Sequence, residues 1–166
     1  MFKHLNSRPL CKAKHKIEYM RKIVFFLITL ISLQSSFAQN WKHNFQETLQ
    51  TAQKENKYIL VNFSGSDWCG PCIRLHKEVF TLPAFNEIAS QRLVLLNADF
   101  PRYKKNQLPA AQQKINDDIA EKYNNKGLFP YTVLLNNKGD IIKSWEGFPP
   151  SVDLFIEDLQ TAVQGK

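Results

Sequence analysis

The sequence predicts an α/β fold, a central mixed sheet flanked by helices in a single domain, and three observations predict it. Short apolar runs alternate with stretches whose apolar residues recur every three to four positions, the pattern of strands joined by covering helices. The chain closes on two apolar runs around Asn136-Asn137-Lys138-Gly139, a hairpin signal that adds antiparallel pairing. At 166 residues, with 43% hydrophobic and 22% charged residues, it holds the material of one ordinary core.

Each element follows in order. Trp41, Phe45, Leu49 and Ala52 share one stripe and predict an amphipathic helix over 40–56. Tyr58-Ile59-Leu60-Val61-Asn62-Phe63 reads as a buried strand, and a polar loop over 64–67 leads to Trp68-Cys69-Gly70-Pro71-Cys72. The helix after it turns Cys72, Leu75, Val79 and Phe80 inward. Pro83 interrupts this helix, and a second piece covers 84–91. Leu93-Val94-Leu95-Leu96-Asn97-Ala98 is a second strand, followed by a polar, basic connection over 99–107. Ile115, Ile119 and Tyr123 stripe a helix over 110–123, with Gly127 as its C-cap. Ser151 caps a last helix whose core face is Leu154, Phe155, Leu159 and Val163.

The net charge of +7 resides in the N-terminus. Residues 1–38 carry seven of the 22 basic residues and one of the 15 acids, so from residue 39 onward 15 basic residues face 14 acidic ones. That balance leaves no basic stripe for nucleic acid. Arg21-Lys22 precede an apolar run over 23–33, too short to span a bilayer and of signal-peptide length. Ser36-Phe37-Ala38 supplies small residues for cleavage before Gln39, so 1–38 is expected to be an export leader and 39–166 the exported domain. Met20 would begin a leader of more ordinary length, and an uncleaved membrane anchor is the alternative reading. Export to a periplasm is expected.

Cys11 belongs to the leader, which leaves Cys69 and Cys72. A pair two residues apart closes too small a loop to constrain the unfolded chain much, so its meaning is chemical. Placed between a strand and a helix N-terminus, it is a device for thiol–disulfide exchange, because positive partial charge there favours thiolate. Pro71 suits the first helical turn, where its missing N–H costs nothing. Half a zinc site is a competing reading, with His76 a third ligand at helical spacing and His43 the other histidine after the leader. Haem attachment is excluded, since Ile73 stands where histidine would be needed.

The strand over 58–63, the motif at 68–72, Ala120-Glu121-Lys122-Tyr123 with Gly127-Leu128-Phe129-Pro130, the hairpin and Gly147 come in the order found in thioredoxin-fold proteins. The chain resembles that family across essentially all of 39–166. The loop before Trp68 and the long connection over 99–108 resemble exported thioredoxin-like proteins of bacterial envelopes.

The resemblance implies a thioredoxin fold and a thiol–disulfide oxidoreductase that reduces protein disulfides, with Cys69 the exposed attacking cysteine and Cys72 the buried resolving one. Pro130 matches the cis-proline opposite the pair, which leaves the Phe129 backbone free to pair with a substrate strand. Trp68 would cover one side of the disulfide, and Gly70 and Pro71 complete the substrate-binding set. Gly70-Pro71 resembles strongly reducing members, which implies a potential toward about −270 mV. No cofactor is implied beyond the Cys69–Cys72 disulfide. The implied partners are disulfide-bearing proteins and an upstream thiol reductant, for which a membrane reductase is one candidate. A monomer is expected.

The chain departs from the family in places. Thioredoxins carry a buried acid in the first strand as a proton relay, and Asn62 stands at the matching position. Asn62 cannot titrate, which leaves water, Glu78 or Asp67 for that role. Tyr131 replaces the threonine usual after the proline. A second class of function stays open: a binding or chaperone module using the same groove without turnover. Phe129, Tyr131 and Phe148 are its candidate exposed aromatics, whereas Phe45, Phe63, Phe80, Phe85 and Phe155 read as core. Arg102, Lys104 and Lys105 read as a solvated loop.

Overall fold

A computed structural model describes residues 20–22 and 39–164. The predicted leader lies outside the described residues except for Met20–Lys22, which are helical and exposed. The rest is built around β2 (Tyr58–Ser64), whose residues 59–64 are all buried. It pairs in parallel with β3 (Leu93–Asp99), from Tyr58↔Leu93 to Ser64↔Asp99. On its other side it pairs antiparallel with β4 (Tyr131–Leu135). β5 (Ile141–Glu146) completes the hairpin with β4. Across the sheet the order is β1-β3-β2-β4-β5, mixed as predicted.

The first helix begins later than its stripe predicts. Trp41–Lys42 form β1, a short strand parallel to β3. α1 spans Phe45–Glu55, because Asn44 accepts the Glu47 N–H and so fixes the helix start there. The spacing of Trp41 and Phe45 fits one helical stripe equally well, and only the cap decides. At the far end Asn56 takes a left-handed conformation, φ 52°, and returns its N–H to the helix carbonyls.

Alternation along β2 divides the core into two layers. Leu60 faces Leu75, Val79, Phe80, Phe85, Phe155 and Leu159. Ile59, Val61 and Phe63 face Ala52, Ile119 and Tyr123 on the opposite side. α2 (Gly70–Leu75) runs into a π-helical turn over His76–Phe80. The wider turn lets two successive side chains, Val79 and Phe80, both reach the core. Phe80 then packs between Trp41 (centroids 5.1 Å apart) and Phe85 (4.9 Å), with both ring pairs tilted. α3 (Pro83–Arg92) starts on its own proline, as proline at a first turn favours.

α4 (Ala110–Tyr123) ends at Asn124 rather than at Gly127. The Asn124 side chain both accepts from the Leu128 N–H and donates to the Leu128 carbonyl, at 2.9 Å each. Gly127, φ 64°, lies in the turn beyond. The Tyr123 hydroxyl donates to the Gly139 carbonyl and ties this helix to the hairpin. In α5 (Val152–Gln164) the core stripe is Phe155, Leu159 and Val163 at strict four-residue spacing. Leu154, predicted to be core, is 63% exposed because it lies about 100° round the helix from Phe155. Phe45 is likewise half-buried rather than core. Asp158 on this helix accepts from Lys143 (2.5 Å) and Trp145 (2.9 Å) of β5. The Lys143 bond, then the Trp145 bond, hold its carboxyl below the ordinary carboxylate value.

Phe80→Ala would leave a cavity between Trp41 and Phe85, so a loss of about 3–5 kcal/mol is expected from urea unfolding.

Candidate active site

β2 ends at Ser64, and the chain needs only five residues to turn into α2. Gly65 is fixed by this turn: a Cβ there would lie 2.3 Å from Trp68 Cε2, so only glycine admits the indole. Trp68 Nε1 donates to the Phe100 carbonyl at 2.7 Å. The indole meets Phe129 edge-on with centroids 5.5 Å apart, and Phe100 meets Phe129 at 5.4 Å. The residue before the cysteines and the residue before Pro130 are therefore packed together, although 61 positions separate them in the sequence.

Cys69 and Cys72 form a disulfide. Cys69 is the N-cap of α2, and its Sγ accepts the Cys72 N–H at 3.3 Å. Pro71 occupies the first turn of the helix, as its fixed φ favours. A side chain at Gly70 would meet nothing within 4 Å, so the face between the two cysteines is open. The expected contrast between an exposed and a buried cysteine is small in this oxidised form: Cys69 is 5% and Cys72 3% exposed. Each sulfur covers the other, and the helix amide covers Cys69 further.

The Phe129–Pro130 bond is cis. Pro130 is buried, and its carbonyl accepts the Gly147 N–H. Phe129 is half-buried, and among the described residues its main chain makes no backbone hydrogen bond. Tyr131 is half-buried and stacks on Phe63 at 6.1 Å. Phe148 is half-buried beneath the Arg74 guanidinium, 4.1 Å from its ring centroid.

Two loops hold this arrangement by exchanging carboxylates. Asp67, just ahead of Trp68, accepts from the Arg102 and Tyr103 N–H groups and from Asn106 Nδ2, each at 2.9 Å. Asp99, at the end of β3, accepts from the Ser66 N–H at 2.9 Å and from its hydroxyl at 2.6 Å. Burial pushes the Asp67 carboxyl up, but the bonds from Arg102, Asn106 and Tyr103 together outweigh it and hold the group below its usual value. The sequence shows Asp67 as a polar loop residue and a candidate proton relay, not as a clamp on a distant loop. Its partners lie more than thirty residues on, which no local pattern records.

The proton-relay candidates are engaged elsewhere. Asp67 holds the loop, and Glu78 forms a two-pronged pair with Arg74 at 3.1 Å. The Arg74 hydrogen bond lowers the Glu78 carboxyl against a smaller burial effect. Asn62, 5% exposed, lies across the sheet from Asn97 and Thr132 in register. Its alternation with Leu60 puts it on the sheet face that packs Leu75 and Val79. Its Nδ2 donates to Asn97 Oδ1 at 2.9 Å, and its buried Oδ1 has no hydrogen-bond partner. His76 is exposed, with its ring edge toward Phe80, while His43 lies beside the Asn97 carbonyl. Among the described residues no three His, Cys, Asp or Glu side chains gather as metal ligands would.

A family model described as a thioredoxin-like domain matches residues 45–160. A disulfide bond reductase of Chlamydia pneumoniae, DsbH, is 30% identical over 107 residues, 64% of this chain. The match covers 62% of that protein, so the chain spans less than two thirds of this relative's length. The solved structure of a DsbH oxidoreductase superposes with a TM-score of 0.69 at 25% identity, covering 81% of this chain and 94% of its own. A thioredoxin of Thermus thermophilus shares the fold at a TM-score of 0.56 and 18% identity, over 75% of this chain and 87% of its own.

Gly65→Ala forces the Trp68 indole off its seat. Overpacking of this kind costs about 1–3 kcal/mol in thermal unfolding, and tryptophan emission should change as the bond to Phe100 is lost. Because the Asp67 carboxyl is lowered in the folded state, its stabilisation is full above the ordinary carboxylate range and fades as pH falls through the lowered value. The Arg102 and Tyr103 amide proton resonances should therefore move together in acid, and Asp67→Ala should abolish that transition.

Proposed function

The chain belongs to the thioredoxin-like family, and from that premise we propose that it is a protein-disulfide oxidoreductase working through Cys69 and Cys72. One observation carries the reading: the two cysteines are joined at the open start of a helix, beside the aromatic cluster that leads into cis Pro130. Similarity to proteins named as a disulfide reductase and an oxidoreductase supports the same class.

In the reductive direction the Cys69 thiolate attacks one sulfur of a client disulfide. The client bond breaks, its electron pair leaves on the second client sulfur, and Cys69 is held in a mixed disulfide. The Cys72 thiolate then attacks Cys69 Sγ, and the first client sulfur leaves as thiolate. Two electrons have passed to the client, and the chain is left with its own disulfide, the form described above. The Cys72 N–H that reaches Cys69 Sγ is placed to stabilise a thiolate there, which makes Cys69 the better attacking and leaving group. A thiol reductant upstream must return the two electrons.

Trp68, Gly70, Pro71, Phe129 and Pro130 form the surface on which the client lies. Gly70 leaves room above the cysteines, and the Phe129 main chain, which makes no backbone hydrogen bond among the described residues, offers an edge to an extended segment. The Gly-Pro pair favours reduction as the working direction. The basic–apolar leader pattern supports export of the domain from residue 39, with a cell envelope as its place of work. Among the described residues no helix is long and apolar enough to cross a membrane.

The purified full-length chain is expected to reduce insulin with dithiothreitol as donor, and Cys69→Ser to lower the rate to background. Cys72→Ser should accumulate mixed disulfides that dithiothreitol releases. Client binding that survives in Cys69→Ser, with no turnover by the native chain, would establish a binding module instead.

A further inference from the structure

We propose that the connection over 99–108 is a cationic subsite of the same surface, and that the preferred clients carry acidic residues beside the exchanged disulfide. This rests on the oxidoreductase reading and adds the class of substrate to it.

The placement of Arg102 carries the inference. Its guanidinium carbon lies 3.5 Å from the centroid of the Trp68 ring. Trp68 is joined directly to Cys69 and packs on Phe129, the residue before Pro130. A full positive charge is thus fixed over the ring that adjoins Cys69 in the chain and packs on Phe129. Stacking on an indole holds the guanidinium plane and leaves its edge donors able to take a carboxylate.

The local charges are sorted by direction. Residues 99–108 hold three cations, Arg102, Lys104 and Lys105, and one acid, Asp99. Asp99 is spent on Ser66, and neighbouring Asp67 is spent on the backbone of this same connection. The three cations are exposed. Ion pairs among the described residues engage Lys42, Lys57, Arg74, Lys114 and Lys143, and none engages these three. Since the chain from residue 39 is near neutral, this is a local concentration and not the overspill of a basic protein.

The subsite is also preorganised. Two main-chain hydrogen bonds to Asp67 fix the backbone at Arg102 and Tyr103, the Asn106 side chain adds a third, and a 3-10 turn over Lys104–Asn106 fixes the two lysines. Charges held in place before binding lose little freedom when a client arrives. They also raise the encounter rate of oppositely charged partners.

The test uses two synthetic peptides with the same intramolecular disulfide, one flanked by aspartate and glutamate, the other by lysine. The full-length chain is expected to reduce the acidic peptide about tenfold more efficiently at low salt, mainly through KM, with the gap closing at high salt. The charge-reversed chain Arg102→Glu/Lys104→Glu/Lys105→Glu should invert the preference. Because both peptides are measured on one preparation, partial loss of folded protein cancels from the ratio. Should the triple variant not fold, Lys104→Gln/Lys105→Gln, confined to exposed positions, should still shrink the ratio. Equal rates on the two peptides, or a preference that survives charge reversal, would overturn the subsite and leave the oxidoreductase reading intact. Absence of turnover on both peptides and on neutral hydroxyethyl disulfide would instead sink that reading, and this inference with it.

Discussion

Two carboxylates hold the surroundings of the cysteine pair in place, each spent on the other's loop. Asp67 grips the main chain of the connection after β3, and Asp99 grips Ser66 ahead of the cysteines. Both loops leave neighbouring parallel strands, and a single 3-10 turn over Lys104–Asn106 is the regular structure described within them. Between the two grips, the Phe100 N–H donates to the Ser64 carbonyl, and the Phe100 carbonyl meets the Trp68 indole. The indole in turn packs on Phe129 and so on the cis-proline turn. Strand pairing brings the ends of β2 and β3 side by side, and the two aspartates convert that proximity into a rigid rim.

Much of the architecture was legible because it is local. The run at 58–63, the hairpin around Asn136–Gly139 and the Phe155–Leu159–Val163 stripe each carry their periodicity within a few turns or strand steps. The cysteine motif and Pro130 were legible by resemblance, and the disulfide and the cis bond stand at those residues. What could not be read depends on competition or distance. Trp41 fits a helical stripe until Asn44 caps the helix after it. Leu154 is apolar and adjacent to the stripe, yet a strict four-residue spacing leaves it outside. Asn124 outcompetes Gly127 as the helix end because its amide satisfies both polar groups of Leu128. The partners of Asp67 are invisible in sequence for the plainest reason, since they lie on another strand's loop.

The row of the sheet at Asn62 is polar, and its three residues carry no formal charge. Asn97, Asn62 and Thr132 lie in one register row across three strands, and a single amide hydrogen bond joins the first two. A carboxylate in that row would face Asn97 Oδ1 and would be desolvated. The amide avoids that cost at the expense of one unsatisfied acceptor. The carboxylates nearest in sequence to the cysteines are held ionised by other work, Asp67 in the loop and Glu78 with Arg74.

The exchange between the loops also bears on how such a protein can diverge. Two of the three donors to Asp67 are main-chain amides, at Arg102 and Tyr103, and a main-chain amide is present in every residue but proline. The grip is therefore indifferent to which side chains those positions display. A lineage that keeps Asp67 and Asp99 can rewrite the lettering of this rim, one substitution at a time, without disturbing the scaffold beneath. On the proposed cationic subsite, new client preferences become accessible through neutral drift, because the main-chain bonds that set the shape are not the charged groups offered to the partner.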